Sequence, residues 1–260
     1  MKIELNKIYN ENCLDTMSKM PDGFVDLVVT SPPYDNLRDY KGYTFDFEKI
    51  ARELYRVVAT GGVVVWVVGD AVINGSESGS SFRQALYFKE IGFNLHDTMI
   101  YQKNAYPFPP TNRYFQVFEY MFVFSKGTPK TTNLIRVKTI GQKRTTSTQR
   151  ESDGSMSDMK YEMGKDDRIK DNVWIYNTGF AKTTNDPVFE HPAMFPEKLT
   201  EDHIISWSNE NDLVYDPFMG SGTTAKMAFR NKRNYIGSEI SAEYCKIAEE
   251  RIKGQTSPMF

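Results

Sequence analysis

The residues best suited to chemistry lie together in one stiff loop, Ser31-Pro32-Pro33-Tyr34. The loop follows residues 24–29, an apolar run that is typical of a buried strand. Adjacent prolines fix their own φ, lack N–H donors and push the preceding residues towards extended geometry. The Ser31 hydroxyl and the Pro32 carbonyl oxygen could accept both hydrogens of a planar amino group, and the Tyr34 ring could stack on the ring bearing that amine. The alternative is a rigid surface turn without function, because Pro-Pro is common in loops.

A glycine-rich turn between two further strand patterns is the second candidate site. It contains Gly220 and Gly222, with Asp216 before it and Glu239 at the end of the following strand. In a Rossmann-like unit such glycines let a ligand approach the backbone, and the acid accepts hydrogen bonds from ribose hydroxyls. The turn lacks the third glycine of the dinucleotide pattern and the lysine of a phosphate-binding loop. It therefore indicates a nucleoside-containing ligand other than a nucleoside triphosphate.

Alternating strand and helix patterns must position these two turns. Residues 63–68 form a continuous β-branched run, as expected of a strand buried on both faces. Alternation along the chain predicts an α/β fold with a mostly parallel sheet and helices on both faces. We expect strands at 3–10, 24–29, 63–68, 93–102, 116–125, 173–176, 212–215 and 234–237, and helices at 16–20, 47–58, 81–91, 196–207, 225–230 and 241–252.

Bulk composition is that of one large globular domain, with 260 residues, 40% apolar and 25% charged. The net charge of −2 does not indicate a nucleic-acid partner, so any such partner must bind to a local basic surface. Cys13 and Cys245 are far apart, which argues against a disulfide framework and fits a reducing compartment. The histidines and cysteines show no zinc spacing, so no metal is expected. With no leader pattern and no long apolar run, we expect a cytoplasmic protein without membrane spans.

The stretch 126–150 has a different composition, with Lys and Arg residues but no Asp or Glu. One interpretation is a solvated, partly disordered insertion. The other, which the flanking motifs favour, is a basic surface that binds a polyanion through its phosphates.

Together these motifs resemble the S-adenosylmethionine-dependent DNA amino-methyltransferases, over most of the chain. Residues 30–34 look like the catalytic motif, 216–223 like the cofactor loop, and 191–196 like the segment against the methionine end of the cofactor. Residues 36–40 also recur in such enzymes. The catalytic motif precedes the cofactor loop, with the variable region between them. That order resembles the circularly permuted beta class.

The resemblance implies a Rossmann-like fold with a seven-stranded-type sheet. It also implies three parts of the chain: a catalytic half at 1–125, a variable basic DNA-recognition insertion at 126–187 and a cofactor-binding half at 188–260. It implies that the catalytic residues are Ser31, Pro32, Pro33 and Tyr34. The implied cofactor-binding residues are Asn12, Cys13, Ala193, Phe195, Lys198, Asp216, Phe218, Gly220, Gly222, Thr223, Glu239 and Ile240. The implied DNA-binding residues are Arg38, Tyr40, Lys126, Lys130, Arg136, Lys138, Lys143 and Arg144. One departure is Asn12, where many relatives carry an aspartate near the cofactor's adenine.

The implied reaction is transfer of a methyl group to the exocyclic amine of a base flipped out of double-stranded DNA. Transfer would be direct, without a covalent intermediate, and would depend on alignment and desolvation. A serine at position 31 favours cytosine N4 within the resemblance, but a neutral serine also suits adenine N6. Homodimer formation and a cognate restriction endonuclease stay open.

Two other classes of function remain. Some protein or small-molecule amide methyltransferases use a related Pro-Pro-Tyr loop, but their cofactor loop precedes it, the reverse of this chain. A DNA-binding module that keeps the fold without catalysis is opposed by the intact Ser31, Tyr34, Gly220 and Glu239. A cofactor titration discriminates, because a silent module should show no uptake.

Overall fold

The structure, a computed structural model, describes residues 3–33, 45–104, 112–138, 146–160, 167–176 and 196–254. Within these ranges the helices are α1 (Cys13–Ser18), α2 (Phe47–Val57), α3 (Ser80–Glu90), α4 (Glu197–Trp207), α5 (Thr223–Arg230) and α6 (Ala242–Lys253). The strands are β1 (Lys7–Tyr9), β2 (Val25–Thr30), β3 (Val58–Val68), β4 (Val72–Ile73), β5 (Ser76–Glu77), β6 (Asn94–Lys103), β7 (Phe118–Ser125), β8 (Arg136–Lys138), β9 (Thr146–Arg150), β10 (Met156–Lys160), β11 (Asp167–Ile169), β12 (Val173–Tyr176), β13 (Leu213–Asp216) and β14 (Asn234–Ser238).

The main sheet has eight strands in the order β1-β14-β13-β2-β3-β7-β6-β12. Strand β7 runs antiparallel to both of its neighbours, and every other pair in this sheet is parallel. This arrangement confirms the expected α/β fold with a mostly parallel sheet. The sheet has one strand more than the seven-stranded type, and β12 forms one of its edges.

The centre of the sheet is buried on both faces. Residues Val63–Val68 of β3 are all buried, although successive side chains of a strand point to opposite faces. On one face, Trp66 packs in a core cluster with the buried side of α2, including Leu54. Helices α1, α2 and α3 contact one another in sequence, as do α4, α5 and α6. The helices therefore form two groups that cover a sheet without an exposed central face.

Local signals fixed several helix boundaries as the sequence predicted. Asp46 caps α2 by accepting from the Lys49 N–H at 3.3 Å, and Ser241 caps α6 by accepting from the Tyr244 N–H at 3.4 Å. None of the described helices is long and apolar enough to cross a membrane.

Contacts divide the chain into two compact units, of which the second is Leu134–Asp171. Its described part contains two antiparallel strand pairs, β8 with β11 and β9 with β10. The sequence predicted no strands in this stretch. The first unit comprises Met1–Asn133 and Asn172–Phe260, and it contains the whole eight-stranded sheet.

Candidate functional site

The Ser31 loop and the glycine turn begin at the ends of two neighbouring parallel strands. Strand β2 pairs with β13, with Val28 opposite Tyr215. Parallel strands end at the same edge of a sheet, and open α/β sheets bind their ligands at that edge. The structure thus brings together the two turns that the sequence singled out.

A buried hydrogen bond joins the two strand ends directly. The Thr30 hydroxyl donates to Asp216 Oδ1 at 2.6 Å, and both residues are buried. A second link runs from the Thr224 hydroxyl to the Val29 carbonyl at 3.2 Å. The sequence placed Thr30 in the catalytic motif and Thr224 at the glycine-rich turn but did not predict these contacts, because no spacing rule pairs residues so far apart in the chain.

Asp216 organises the turn from below. Its Oδ1 also accepts from the Phe218 N–H at 3.0 Å, which fixes the start of the turn. Burial raises the pKa of the Asp216 carboxyl to about 6, against the lowering effect of the hydrogen bonds from Thr30, Phe218 and Thr224. The buried carboxyl holds the turn in place through these hydrogen bonds.

The glycine turn adopts backbone geometry that only glycine takes readily. Gly220 and Gly222 have φ of +52° and +85°, in the left-handed region. A Cβ on Gly222 would lie 2.5 Å from the Ala248 Cβ of α6, so this glycine also lets the helix approach. The sequence predicted that a ligand approaches the backbone of these glycines; the group that approaches Gly222 in the structure is α6.

Glu239 closes the turn from the neighbouring strand. Its two carboxylate oxygens accept from the Gly220 and Ser241 N–H groups, each at 2.8 Å. Burial raises the Glu239 pKa, although these backbone hydrogen bonds oppose the rise. The Asn10 side-chain amide donates to the Glu239 and Ile240 carbonyls at 2.9 and 3.0 Å and fixes this segment. Asn10 is a further residue that sequence reasoning missed.

The surroundings of Glu239 suit an adenosine-containing ligand. Backbone N–H groups of Gly220, Ile240 and Ser241 act on the Glu239 carboxylate, which has about four lone-pair sites and so keeps acceptor capacity for a hydroxyl donor. The adjacent Ile240 is 41% exposed, an apolar surface beside a partly buried acid. Within the described ranges, no three His, Cys, Asp or Glu side chains are grouped so that they could hold a metal ion.

Asn12 and Cys13 lie at the start of α1. The Asn12 side chain caps the helix by accepting from the Leu14 N–H at 2.9 Å. Cys13 is buried, and its carbonyl accepts from the Tyr215 hydroxyl at 3.5 Å. That hydroxyl also lies 2.9 Å from Ser238 Oγ, so α1 is tied to the two strands that carry the turn.

Lys198, in the first turn of α4, forms ion pairs on its own helix. Its ammonium group binds the buried Asp202 and lies 3.4 Å from Glu201. Burial acts to lower the Lys198 pKa, but the hydrogen bond and charge of Asp202 outweigh it, and the pKa is raised. Asp202 in turn accepts from the Tyr176 hydroxyl at 2.7 Å.

Two of the lysines expected to bind DNA have structural partners at the opposite end of the strands from the candidate site. Lys126 donates to the Tyr55 and Val58 carbonyls at 2.6 and 2.9 Å. Lys130 binds Asp26 at 2.5 Å. Asp26 is near the start of β2, whereas Ser31 follows the end of that strand. The structure does not bring these two lysines together with the candidate site.

Arg136 and Lys138 belong to the second unit and are exposed there. Arg136 pairs with Asp167 across β8 and β11, with Nε 3.0 Å from Oδ2. The other predicted site residues, which are Tyr34, Arg38, Tyr40, Lys143, Arg144, Ala193 and Phe195, lie outside the described residues.

Comparison with known proteins identifies the group to which this architecture belongs. A family model described as DNA methylase matches residues 25–250. The orphan methyltransferase M.BamHII of Bacillus amyloliquefaciens is 60% identical over 238 residues, which cover 89% of this chain and 90% of that protein. Among solved structures, the PvuII DNA methyltransferase (cytosine-N4-specific) aligns with a TM-score of 0.71 at 21% identity, covering 96% of this chain and 87% of the other. The complex of M1.HpyAVI with SAM aligns with a TM-score of 0.63 at 22% identity, covering 95% and 98%.

Proposed function

The chain belongs to the DNA methylase family, and from this premise we propose that it moves a methyl group from S-adenosyl-L-methionine to N4 of a cytosine flipped out of double-stranded DNA. The observation that carries the proposal is the meeting of two turns at one sheet edge. The Thr30–Asp216 hydrogen bond of 2.6 Å links the loop suited to an amino group to the turn suited to a nucleoside. Methyl transfer to an amine needs both of these groups at one place.

In this proposal the Ser31 loop holds the amine. The Ser31 hydroxyl and the Pro32 carbonyl accept its two hydrogens, which directs the nitrogen lone pair towards the methyl donor. Pro32 is buried whereas Ser31 is partly exposed, so the loop has a fixed base and an accessible hydroxyl. Tyr34 stacks on the flipped base, which must leave the duplex to be reached.

The glycine turn and its neighbours hold the cofactor. S-adenosyl-L-methionine, when bound, supplies a sulfonium methyl group that needs no metal or covalent enzyme intermediate. Glu239 accepts from the ribose hydroxyls, Ile240 contacts the adenine, and Gly220, Gly222 and Thr223 lie along the rest of the molecule. Asn12, Cys13, Ala193, Phe195, Lys198, Asp216 and Phe218 complete the proposed surroundings. The catalytic contribution of the chain is then mainly alignment and exclusion of water.

Cytosine N4 is proposed over adenine N6 because residue 31 is a serine. A neutral hydroxyl accepts from the cytosine amine without requiring a charged partner. The likeness in fold to an enzyme described as cytosine-N4-specific is compatible with this choice. Adenine N6 is the alternative, since its amine offers the same two hydrogens.

The test is methylation of plasmid DNA by the purified protein, followed by base-resolved sequencing. N4-methylcytosine at a fixed sequence context is the expected product. N6-methyladenine would replace the first candidate with the second, and no methylated base under conditions of measured cofactor binding would contradict both. DNA treated with a Ser31→Ala variant is the control for contaminating activity.

A further inference from the structure

Arg251 lies near the end of α6, and no motif found in the sequence includes it. Its side chain is only 4% exposed. One guanidinium nitrogen, Nη1, donates to the Ser221 carbonyl at 2.7 Å, the Ser221 hydroxyl at 3.1 Å and the Thr223 hydroxyl at 3.2 Å. Arg251 therefore contacts the glycine turn itself, between Gly220 and the start of α5.

The other nitrogen of the same guanidinium reaches a different element. Arg251 Nη2 donates to Glu197 Oε1 at 2.7 Å, and Glu197 is the first residue of α4. Lys226 Nζ also binds Glu197 Oε1, at 3.0 Å, and its side chain is 5% exposed. One carboxylate is thus held by two buried cations, from α5 and α6.

These contacts fix the position of α6 against the turn. Ala248 lies one helical turn before Arg251 on the same face of α6, and it packs directly on Gly222. A planar guanidinium can donate in two directions at once, whereas an ammonium group is a single point of charge. The hydrogen bonds from Arg251 therefore fix the position of the glycine turn relative to the beginning of α4.

We infer that Arg251 is a positioning residue for the cofactor, which sets affinity by holding the glycine turn and the start of α4 together. The inference rests on the proposed cofactor site. Helix α6 would then contribute to cofactor binding through Arg251, although Arg251 does not need to contact the cofactor. Loss of the guanidinium removes the direct tie between the turn and α4 and leaves only Lys226 on Glu197, so cofactor affinity falls.

The test compares Arg251→Met with a matched variant, Arg233→Met. Arg233 also ties backbone carbonyls, donating to Ser208 O and Asn231 O, each at 2.6 Å. It does so at the end of α4 remote from Glu197, just before β14 begins. The dissociation constant for S-adenosyl-L-methionine is measured by calorimetry on the full-length chain, together with the thermal midpoint.

Arg251→Met is expected to weaken cofactor binding at least tenfold, and Arg233→Met to leave it within twofold, at comparable losses of thermal midpoint. In steady-state assays the KM for the cofactor should rise while kcat at saturation changes less than threefold. Equal effects of the two variants on the dissociation constant, or no effect of either, would overturn the inference.

Arg251→Lys keeps the inference testable if the methionine variant does not fold. Lysine retains the charge beside Glu197 but lacks the fixed fork of five N–H donors that the guanidinium presents, so binding should weaken by more than threefold. Binding within twofold of the parent chain would contradict the positioning role. A parent chain that bound no S-adenosyl-L-methionine would instead refute the proposed function, which separates the two failures.

Discussion

Ser31 and Asp216 illustrate how differently two residues of one site can act. Ser31 directly follows β2 and is partly exposed. Asp216 is buried, and its carboxylate is occupied by Thr30 and the Phe218 N–H. We therefore assign the first to the reaction and the second to the shape of the turn.

Substituting Ser31→Ala should separate catalysis from cofactor binding. The variant loses a hydrogen-bond acceptor for the amine, and misalignment of a reacting group costs on the order of 100-fold in rate. Cofactor affinity should stay within twofold, since Ser31 is on the other strand from the glycine turn. Single-turnover methyl transfer and calorimetry measure the two quantities. Ser18→Ala, at an exposed hydroxyl that donates to the Asp15 carbonyl, is the control and should alter neither. Methyl transfer at the parent rate would show that the proposed loop is not catalytic.

The Asp216 carboxyl should make stability depend on pH. Burial raises its pKa to about 6 in the folded chain, against the ordinary aspartate value of 3.8 in the unfolded chain. Between these values the folded state binds more protons, so this carboxyl contributes less stability as the pH rises. The parent chain should lose up to about 3 kcal/mol relative to Asp216→Asn between pH 4 and pH 7, from the size of the shift.

Urea unfolding of both proteins across this pH range measures the difference. Asp70→Asn is the control, because the folded pKa of Asp70 is lowered: burial would raise it, but hydrogen bonds from Ser81, Ser78 and Ser80 outweigh that effect. The contribution of Asp70 is fully present well above the ordinary aspartate pKa of 3.8 and is lost as the pH falls through that value, so the difference in stability between Asp70→Asn and the parent should be nearly flat from about pH 5 to pH 7. A flat difference for Asp216→Asn as well would refute the raised pKa.

At the scale of elements, the glycine turn depends on the helix behind it. Gly222→Ala introduces a left-handed alanine, which costs about 1–2 kcal/mol. It also places a Cβ 2.5 Å from Ala248 Cβ and 2.8 Å from its Cα, so α6 must move. The free energy of unfolding should fall by clearly more than the conformational cost, and cofactor affinity should fall with it.

Gly75→Ala is the matched control for this substitution. Gly75 has φ of +83°, close to the +85° of Gly222, but nothing lies within 4 Å of an added Cβ. Gly75→Ala should lower the free energy of unfolding, measured with urea, only by the cost of the left-handed alanine. It should leave the cofactor affinity, measured by calorimetry, unchanged. Similar losses for the two variants would mean that contact with α6 does not matter.

The elements themselves were largely predictable from the sequence, whereas the ties between them were not. Capping residues and β-branched runs are local signals, so α2, α6 and β3 follow from them. The β4–β5 hairpin carries a local signal too, since its turn is Asn74-Gly75 with both φ positive, although the strands expected from the sequence do not include it.

The partners of Thr30 and Arg251 could not be predicted in the same way. Thr30 bonds to a residue 186 positions away, and Arg251 to residues 28, 30 and 54 positions away. Such pairs depend on strand order and on the packing of α6, which propensity and spacing do not specify. The same holds for Lys126 and Lys130. They belong to a basic stretch that suggested DNA binding, but their partners in the structure are residues of the first unit.

At the scale of the whole molecule, the first unit contains every described residue of the candidate site. The second unit, Leu134–Asp171, contains Arg136 and Lys138 and is inserted between Asn133 and Asn172. Replacing it by a short Gly/Ser linker should leave cofactor affinity within twofold and remove most affinity for duplex DNA.

Fluorescence anisotropy with duplex DNA across a salt series measures this loss. Each phosphate contact removed should reduce the slope of log K against log salt by about 0.9. Lys126→Gln is the comparison, since its ammonium group serves backbone carbonyls in the first unit. DNA affinity and salt slope unchanged by the deletion would contradict a DNA-binding role for the second unit.

The hydrogen bond between Thr30 and Asp216 also has a consequence for biosynthesis. Its partners are separated by 186 residues, and at typical translation rates about 10–40 s pass between the synthesis of the first and the second. Throughout this interval β2 has no β13 beside it, so one side of a buried strand stays unpaired on the ribosome. Until β13 and the glycine turn after it have emerged, the nascent chain lacks the strand and the turn that complete the candidate site.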